Sequence, residues 1–142
     1  MSSGYGKRTL QFFHSSKYLI KNLKRFMTNN KESIKINKEI FINDRISINN
    51  VDMRQQQQYS IISVLNHLGD SMIHCHYACN GLIIDTWYEI HDNEYKVCLR
   101  PDESTTCYIT LWKLNDNDLN TNDNNVSKKF GNIAKITMII TQ

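Results

Sequence analysis

Between Ile34 and Ile48 the even-numbered positions read Ile34, Ile36, Lys38, Ile40, Ile42, Asp44, Ile46 and Ile48, while the odd ones are almost all polar. A repeat of two is the mark of a chain whose successive side chains point to opposite sides of a sheet, one side buried. The polar interruptions at Lys38 and Asp44 mark turns or an edge. Sheet structure therefore begins here, and it resumes after Gly69. Met72–Cys79 and Leu82–Ile90 flank Asn80-Gly81, a pair suited to the tight turn of a hairpin. His91–Glu94 turns into Tyr95–Arg100, and Pro101–Ser104 leads into Thr105–Leu114. An Asn/Asp-rich stretch, 115–125, reads as a mobile loop before a last strand, Ile133–Ile140.

Two segments carry a helical repeat instead. From Thr9 to Met27 the apolar Phe12, Leu19, Leu23 and Phe26, with Phe13, Ile20 and Met27 beside them, recur at three, four and seven, and Lys17, Lys21 and Lys24 do so on another face. Between Asp52, which with Gln55 resembles a capping box, and Gly69, the residues Ile61, Ile62, Leu65 and Leu68 recur in the same way, predicting a helix over 53–68. The predicted class is α+β: a mostly antiparallel sheet of about five to seven strands with one packed helix, preceded by a basic amphipathic N-terminal helix. Residues 1–31 form the arm and 32–142 one domain, since 142 residues suit a single core.

Charge is segregated along the chain. The first acidic residue is Glu32, and before it stand Lys7, Arg8, Lys17, Lys21, Lys24, Arg25 and Lys31, although the whole carries only +3. A basic arm interleaved with Phe12, Phe13 and Tyr18 suits an anionic partner, either a headgroup layer or the phosphates and bases of a nucleic acid. Two other readings stay open: an ordinary helix packed on the domain with solvated lysines, or a mitochondrial presequence, whose composition is Arg- and Ser-rich without acids. No apolar run approaches the roughly 20 residues of a membrane span, and none has the roughly 7 to 15 of a secretory signal. The four cysteines are too few for a disulfide scaffold and are expected as free thiols in the cytoplasm.

The densest group of reactive side chains is His74-Cys75-His76-Tyr77-Ala78-Cys79. In a strand the two histidines face one side and Cys75 and Cys79 the other, so the four cannot close on one ion, and no C-x-x-C pair is present; no metal and no cofactor are expected. A small enzyme or metal-binding domain using this cluster is nevertheless an alternative, with Asp85, Glu89 and His91 as polar groups near hairpin ends. Tyr108 and Trp112 are opposite in parity to Ile109 and Leu111, and if those two face the core the aromatic pair is available for self-association.

In the order of its elements, with Met1–Lys31 as basic leader, Ser33–Ile48 as first strands, Met53–Leu68 as helix and Met72–Leu114 as meander, the chain resembles the small matrix proteins of negative-strand RNA viruses, of the plant-rhabdovirus and bornavirus kind. The resemblance implies a non-enzymatic virion protein that self-associates, binds an anionic membrane through its basic residues and contacts RNA or ribonucleoprotein. Its expected place is the cytoplasm, a peripheral membrane or the virion, with the mitochondrion as the alternative.

Overall fold

The computed structural model describes residues 16–29, 32–49, 56–72, 74–116 and 133–139. Twelve strands run through them: β1 (Tyr18–Lys24), β2 (Phe26–Asn29), β3 (Glu32–Lys35), β4 (Ile40–Phe41), β5 (Arg45–Asn49), β6 (Gln56–Leu68), β7 (His76–Ile83), β8 (Thr86–His91), β9 (Glu94–Val97), β10 (Glu103–Ser104), β11 (Cys107–Leu114) and β12 (Ile133–Ile139). The main sheet has the order β12-β1-β11-β6-β7-β8-β9, with β5 also paired to β6; β10 pairs β4, and β2 pairs β3. All these pairings are antiparallel except β1 with β12. Among the described residues there is no α-helix.

Both expected helices are corrected by strands. Leu19 and Leu23, four apart, lie on the same side of a strand as readily as of a helix, because four is two strand repeats. Both are buried in β1, which is hydrogen-bonded on either side, to β11 and to β12. In β6 the misleading signal is a bulge. Leu111 pairs Ser63 but Trp112 pairs Ile61, so Ile62 has no opposite number. The extra residue turns a spacing of two into the three that separates the buried Ile61 and Val64. The first half of the expected N-terminal helix, the capping box at 52–55, Lys7, Arg8, Phe12, Phe13, Lys31 and most of the 115–125 loop lie outside the described residues.

The hairpin is also displaced. Asn80 and Gly81 sit inside β7, opposite Val64 and Ser63 on one side and Glu89 and Tyr88 on the other. The turn is Ile84-Asp85, both with positive φ (44° and 63°). Asn80 is held as a rung between strands, accepting from Asn66 Nδ2 at 2.8 Å.

One face of the sheet carries the core. Leu19, Leu23, Tyr59, Ile61, Val64, Cys107, Trp112 and Leu114 pack with Ile42, and the partly buried Ile40, Ile46 and Ile48 cover them, so these isoleucines turn inward, whereas Ile34 of the same alternation is exposed. Trp112 is 2% exposed, its Nε1 donating to Thr110 Oγ1 at 2.8 Å. This corrects its expected outward face: the parity argument placed Ile109 and Leu111 inward, whereas Thr110, Trp112 and Leu114 are the buried set.

On the other face stands an aromatic box. His67 is 1% exposed between Phe26, Tyr77 and Tyr108, with ring centroids 5.0, 5.3 and 5.9 Å away. Neither of its ring nitrogens has a hydrogen-bond partner. Burial first, and the Lys35 ammonium second, hold its pKa below the ordinary histidine value.

Arg25, between β1 and β2, is fully buried. Its guanidinium donates to four backbone carbonyls: Nε to Cys107 O at 2.5 Å, Nη1 to Ile36 O at 2.9 Å and Lys38 O at 2.8 Å, and Nη2 to Ser104 O at 3.1 Å. Its own carbonyl accepts from Ile36 N at 2.6 Å.

Two outcomes follow from these buried groups. Arg25→Met strands four carbonyls and is expected to lower unfolding free energy by about 3–5 kcal/mol. Arg25→Lys, with no planar fork, should recover only part of that in a denaturant titration. His67, neutral when folded, charges more readily when unfolded, so stability is full above about pH 6.5 and falls as acid protonates the unfolded chain. His67→Phe should remove that loss and, by deleting two unpaired nitrogens, gain about 1 kcal/mol, read from denaturation midpoints between pH 5 and 8.

Candidate functional site

The polar residues gather at one end of β7, β8 and β9. Directly opposed residues of an antiparallel sheet share a face, so the register Val64–Asn80–Glu89–Lys96 puts Asn80, Glu89 and Lys96 on the core side. By alternation His76, His91 and Glu94 join them, while Cys75, Tyr77 and Cys79 point to the other side.

What delivers His76 is the connection from β6. Gly69 has φ of +119°, and a Cβ there would lie 2.8 Å from His74 O and 3.2 Å from the Cys75 Cα. Only glycine combines that dihedral with so close a crossing. Lys35 Nζ, reaching from β3, donates to His67 O at 2.9 Å and to Gly69 O at 2.5 Å, and Ser71 Oγ accepts from His74 N at 3.0 Å. The chain then enters β7 with His76 as its first residue.

His76 Nε2 stands 4.0 Å from Asp92 Oδ2. Asp92 occupies the β8–β9 turn at φ of 47°, a left-handed position that aspartate tolerates better than most residues. The His91 ring lies nearly parallel to that of His76, 15° between planes and 5.7 Å between centroids. His91 Nε2 bonds Glu89 Oε1 at 2.8 Å, and Lys96 Nζ pairs with Glu89 Oε2 at 2.9 Å. Those two hydrogen bonds, from His91 first and Lys96 second, hold the Glu89 carboxyl below its usual range and raise the Lys96 ammonium. A cavity of about 140 Å³ opens beside them, lined by Glu89, His91, Glu94, Tyr95 and Lys96.

No thiol joins this group. Cys75 Sγ faces Met72 O, Cys79 shares a hydrogen bond with Ser63, Cys98 accepts from Asn80, and Cys107 is buried with its thiol pushed up to about 11. Burial at that value keeps Cys107 protonated and inert. Among the described residues no three His, Cys, Asp or Glu side chains gather as metal ligands.

The expected polyanion-binding residues are dispersed. Lys17 is exposed, its Nζ 5.7 Å from the Tyr18 ring centre, and Lys24 is exposed. Lys21 is half-buried on the core side, lining a 30 Å³ pocket with Trp112 and Phe41, and Arg25 is sealed inside. Among the described residues no basic stripe forms: Lys21 and Arg25 are drawn inward, and Lys24, of opposite parity, takes the other face of β1. Tyr108 belongs to the aromatic box. Of the reactive cluster, His74 stays in the loop, Asp85 is at the far hairpin tip, and Asp92 was not singled out by sequence. Its signal is positional: it precedes the residue that lies across from His76 once the turn is placed at 84–85.

The family model for ubiquitin carboxyl-terminal hydrolase matches residues 4–112. No curated protein matches the chain. Solved structures share its fold: the yeast SAGA DUBm with an Sgf73 variant (TM-score 0.62, 18% identity, 70% of this chain and 24% of that one). The Ubp8-Sgf11-Sgf73-Sus1 SAGA DUB module matches with TM-score 0.62 and 19% identity, over 70% of this chain and 24% of that one. The same module bound to ubiquitin aldehyde does so with TM-score 0.61 and 17% identity, over 70% and 25%. The chain thus spans about a quarter of the length of the structures it matches.

These findings overturn the matrix-protein resemblance, which rested on an element order whose one helix, Met53–Leu68, is the strand β6 from Gln56 onward. With it go the non-enzymatic virion role, the homo-oligomer and the membrane or RNA partner: the family is one of hydrolases, and the matched structures are protein assemblies, one with ubiquitin aldehyde bound.

Glu89 gives the site a pH signature. A carboxyl with a depressed folded pKa stabilises above its unfolded value, about 4.3, and the contribution is lost as pH falls through the lower folded value. Glu89→Gln should therefore flatten the acid limb of the stability curve below about pH 5, measured by urea unfolding at successive pH values.

Proposed function

Because this chain belongs to the ubiquitin carboxyl-terminal hydrolase family, we propose that it supplies the base half of an acyl-cleaving site: His76 as general base and Asp92 as its orienting acid, acting on a ubiquitin carboxyl-terminal bond. The approach of His76 Nε2 to Asp92 carries the reading. At 4.0 Å it is longer than a hydrogen bond, as such pairs often are before substrate tightens them. With Nε2 turned to the carboxylate, Nδ1 is the edge left for the reacting partner.

The chemistry follows from that orientation. Nδ1 takes the proton of a nucleophile as it attacks the carbonyl, and returns it to the departing amine. Asp92 holds the tautomer with the proton on Nε2 and steadies the imidazolium between the two transfers. None of the chain's four cysteines is placed to be that nucleophile. The cavity lined by His91, Glu89 and Lys96 gives the leaving side of the substrate room on the far side of the stacked His91 ring.

The test is hydrolysis of a ubiquitin carboxyl-terminal amide by the protein purified, through a tag on this chain, from its own cell. His76→Ala should reduce kcat by about 10²–10⁴, and Asp92→Asn should reduce it by less. Unchanged turnover in His76→Ala, or no hydrolysis by the wild-type preparation, would overturn the assignment.

A further inference from the structure

Asp92 is a loosely held orienter: its side chain is 80% exposed at a turn and 4.0 Å away. The His76 ring, 45% exposed, begins a strand and has no other hydrogen-bond partner among the described residues. A base on so free a side chain spends little time in one rotamer, and misplacement by about 1 Å costs up to about 10²-fold in rate. Something must hold the plane of the ring.

The residue against it is His91. It occupies the same face of the sheet, one strand over, and its ring is parallel to that of His76 within 15°. Unlike His76 it is anchored, because Nε2 bonds Glu89 and Glu89 is in turn tied to Lys96 on β9. Three strands therefore contribute to the arrangement: His76 on β7, Glu89 and His91 on β8, Lys96 on β9. The remaining charged groups near it are Asp92 in the turn and Glu94 on β9, while β6 places the uncharged Leu68 opposite His76.

We propose that His91 is a positioning residue for His76, an imidazole fixed by Glu89 and Lys96 whose flat face sets the plane of the His76 ring, keeping Nε2 toward Asp92 and Nδ1 outward. The inference rests on His76 being the base. A stacked arrangement of two rings contributes through its face, so a phenyl ring serves in place of the imidazole, whereas a methyl group does not. Glu89 acts one step further back, by anchoring the platform.

The measurement is long-range nitrogen-15 imidazole spectroscopy of the full-length chain at neutral pH, with His76→Ala used to assign the signals. Wild-type protein should show His76 as one tautomer, protonated on Nε2. His91→Ala and Glu89→Ala should give an averaged tautomer pattern, with carbethoxylation of His76 by diethyl pyrocarbonate faster by several-fold. His91→Phe should restore the wild-type tautomer and rate. A single Nε2-protonated tautomer persisting in His91→Ala would overturn the proposal, as would His91→Phe behaving like His91→Ala. Neither readout requires hydrolysis, so a failure of the base assignment shows in the turnover of His76→Ala and a failure of the platform shows here.

Discussion

A buried guanidinium that meets no carboxylate among the described residues organises this fold. Arg25 is withdrawn from water and compensated by four carbonyl dipoles drawn from the segment after β3, from β10 and from the start of β11. Its charge persists even there, because arginine does not surrender its proton in proteins. Those carbonyls have no other reason to converge, so the guanidinium fixes where the β2–β3 hairpin leaves the main sheet. The next residue, Phe26, is thereby set against His67. From His67 the backbone runs through Gly69 into His76, and Lys35 of the same hairpin grips the carbonyls of His67 and Gly69. A continuous line of contacts leads from a buried cation near one edge of the core to the imidazole at the other.

The site itself uses the sheet as a ruler. Direct cross-strand pairing brings Glu89 and Lys96 together, alternation brings His91 onto the same face, and the left-handed turn at Asp92 carries its carboxylate around to His76. No loop of any length is involved beyond the one that Gly69 closes. Groups on paired strands keep their spacing better than groups on loops.

The sheet was legible where the repeat was two. Ile36, Ile40, Ile42, Ile46 and Ile48 turn inward as their alternation requires, while Ile34 stays exposed, and the last strand lies within one residue of its expected span. The two helices failed for separate reasons. Leu19 and Leu23 satisfy both repeats at once, and the Ile62 bulge manufactures a spacing of three that no strand repeat contains. The site was half legible. His76 stood out as part of a cluster, but a turn at Asn80-Gly81 would have slid β8 along β7 and set Asp85 across from it. The true turn, at Ile84-Asp85, lacks the glycine that ordinarily marks such a position, and it brings the Asp92-Asn93 turn there instead. Among the described basic residues, Lys17, Lys21, Lys24 and Arg25, like charge along the sequence carries no instruction about which face each will take. Arg25 is the extreme case.

The neighbours of β1 are far away in sequence. Tyr18–Asn22 pair with Ile109–Lys113 on one side and Tyr18–Lys24 with Ile133–Ile139 on the other. As the ribosome delivers the chain, β1 emerges well before β11 and β12, with Leu19 and Leu23 unburied until those partners are made. Long-range pairing of this kind slows folding and prolongs the lifetime of sticky intermediates. The polar and cationic residues interspersed along that strand, Lys21, Asn22 and Lys24, with Lys17 just before it, give the waiting segment the charge that keeps an unpaired edge from joining another chain.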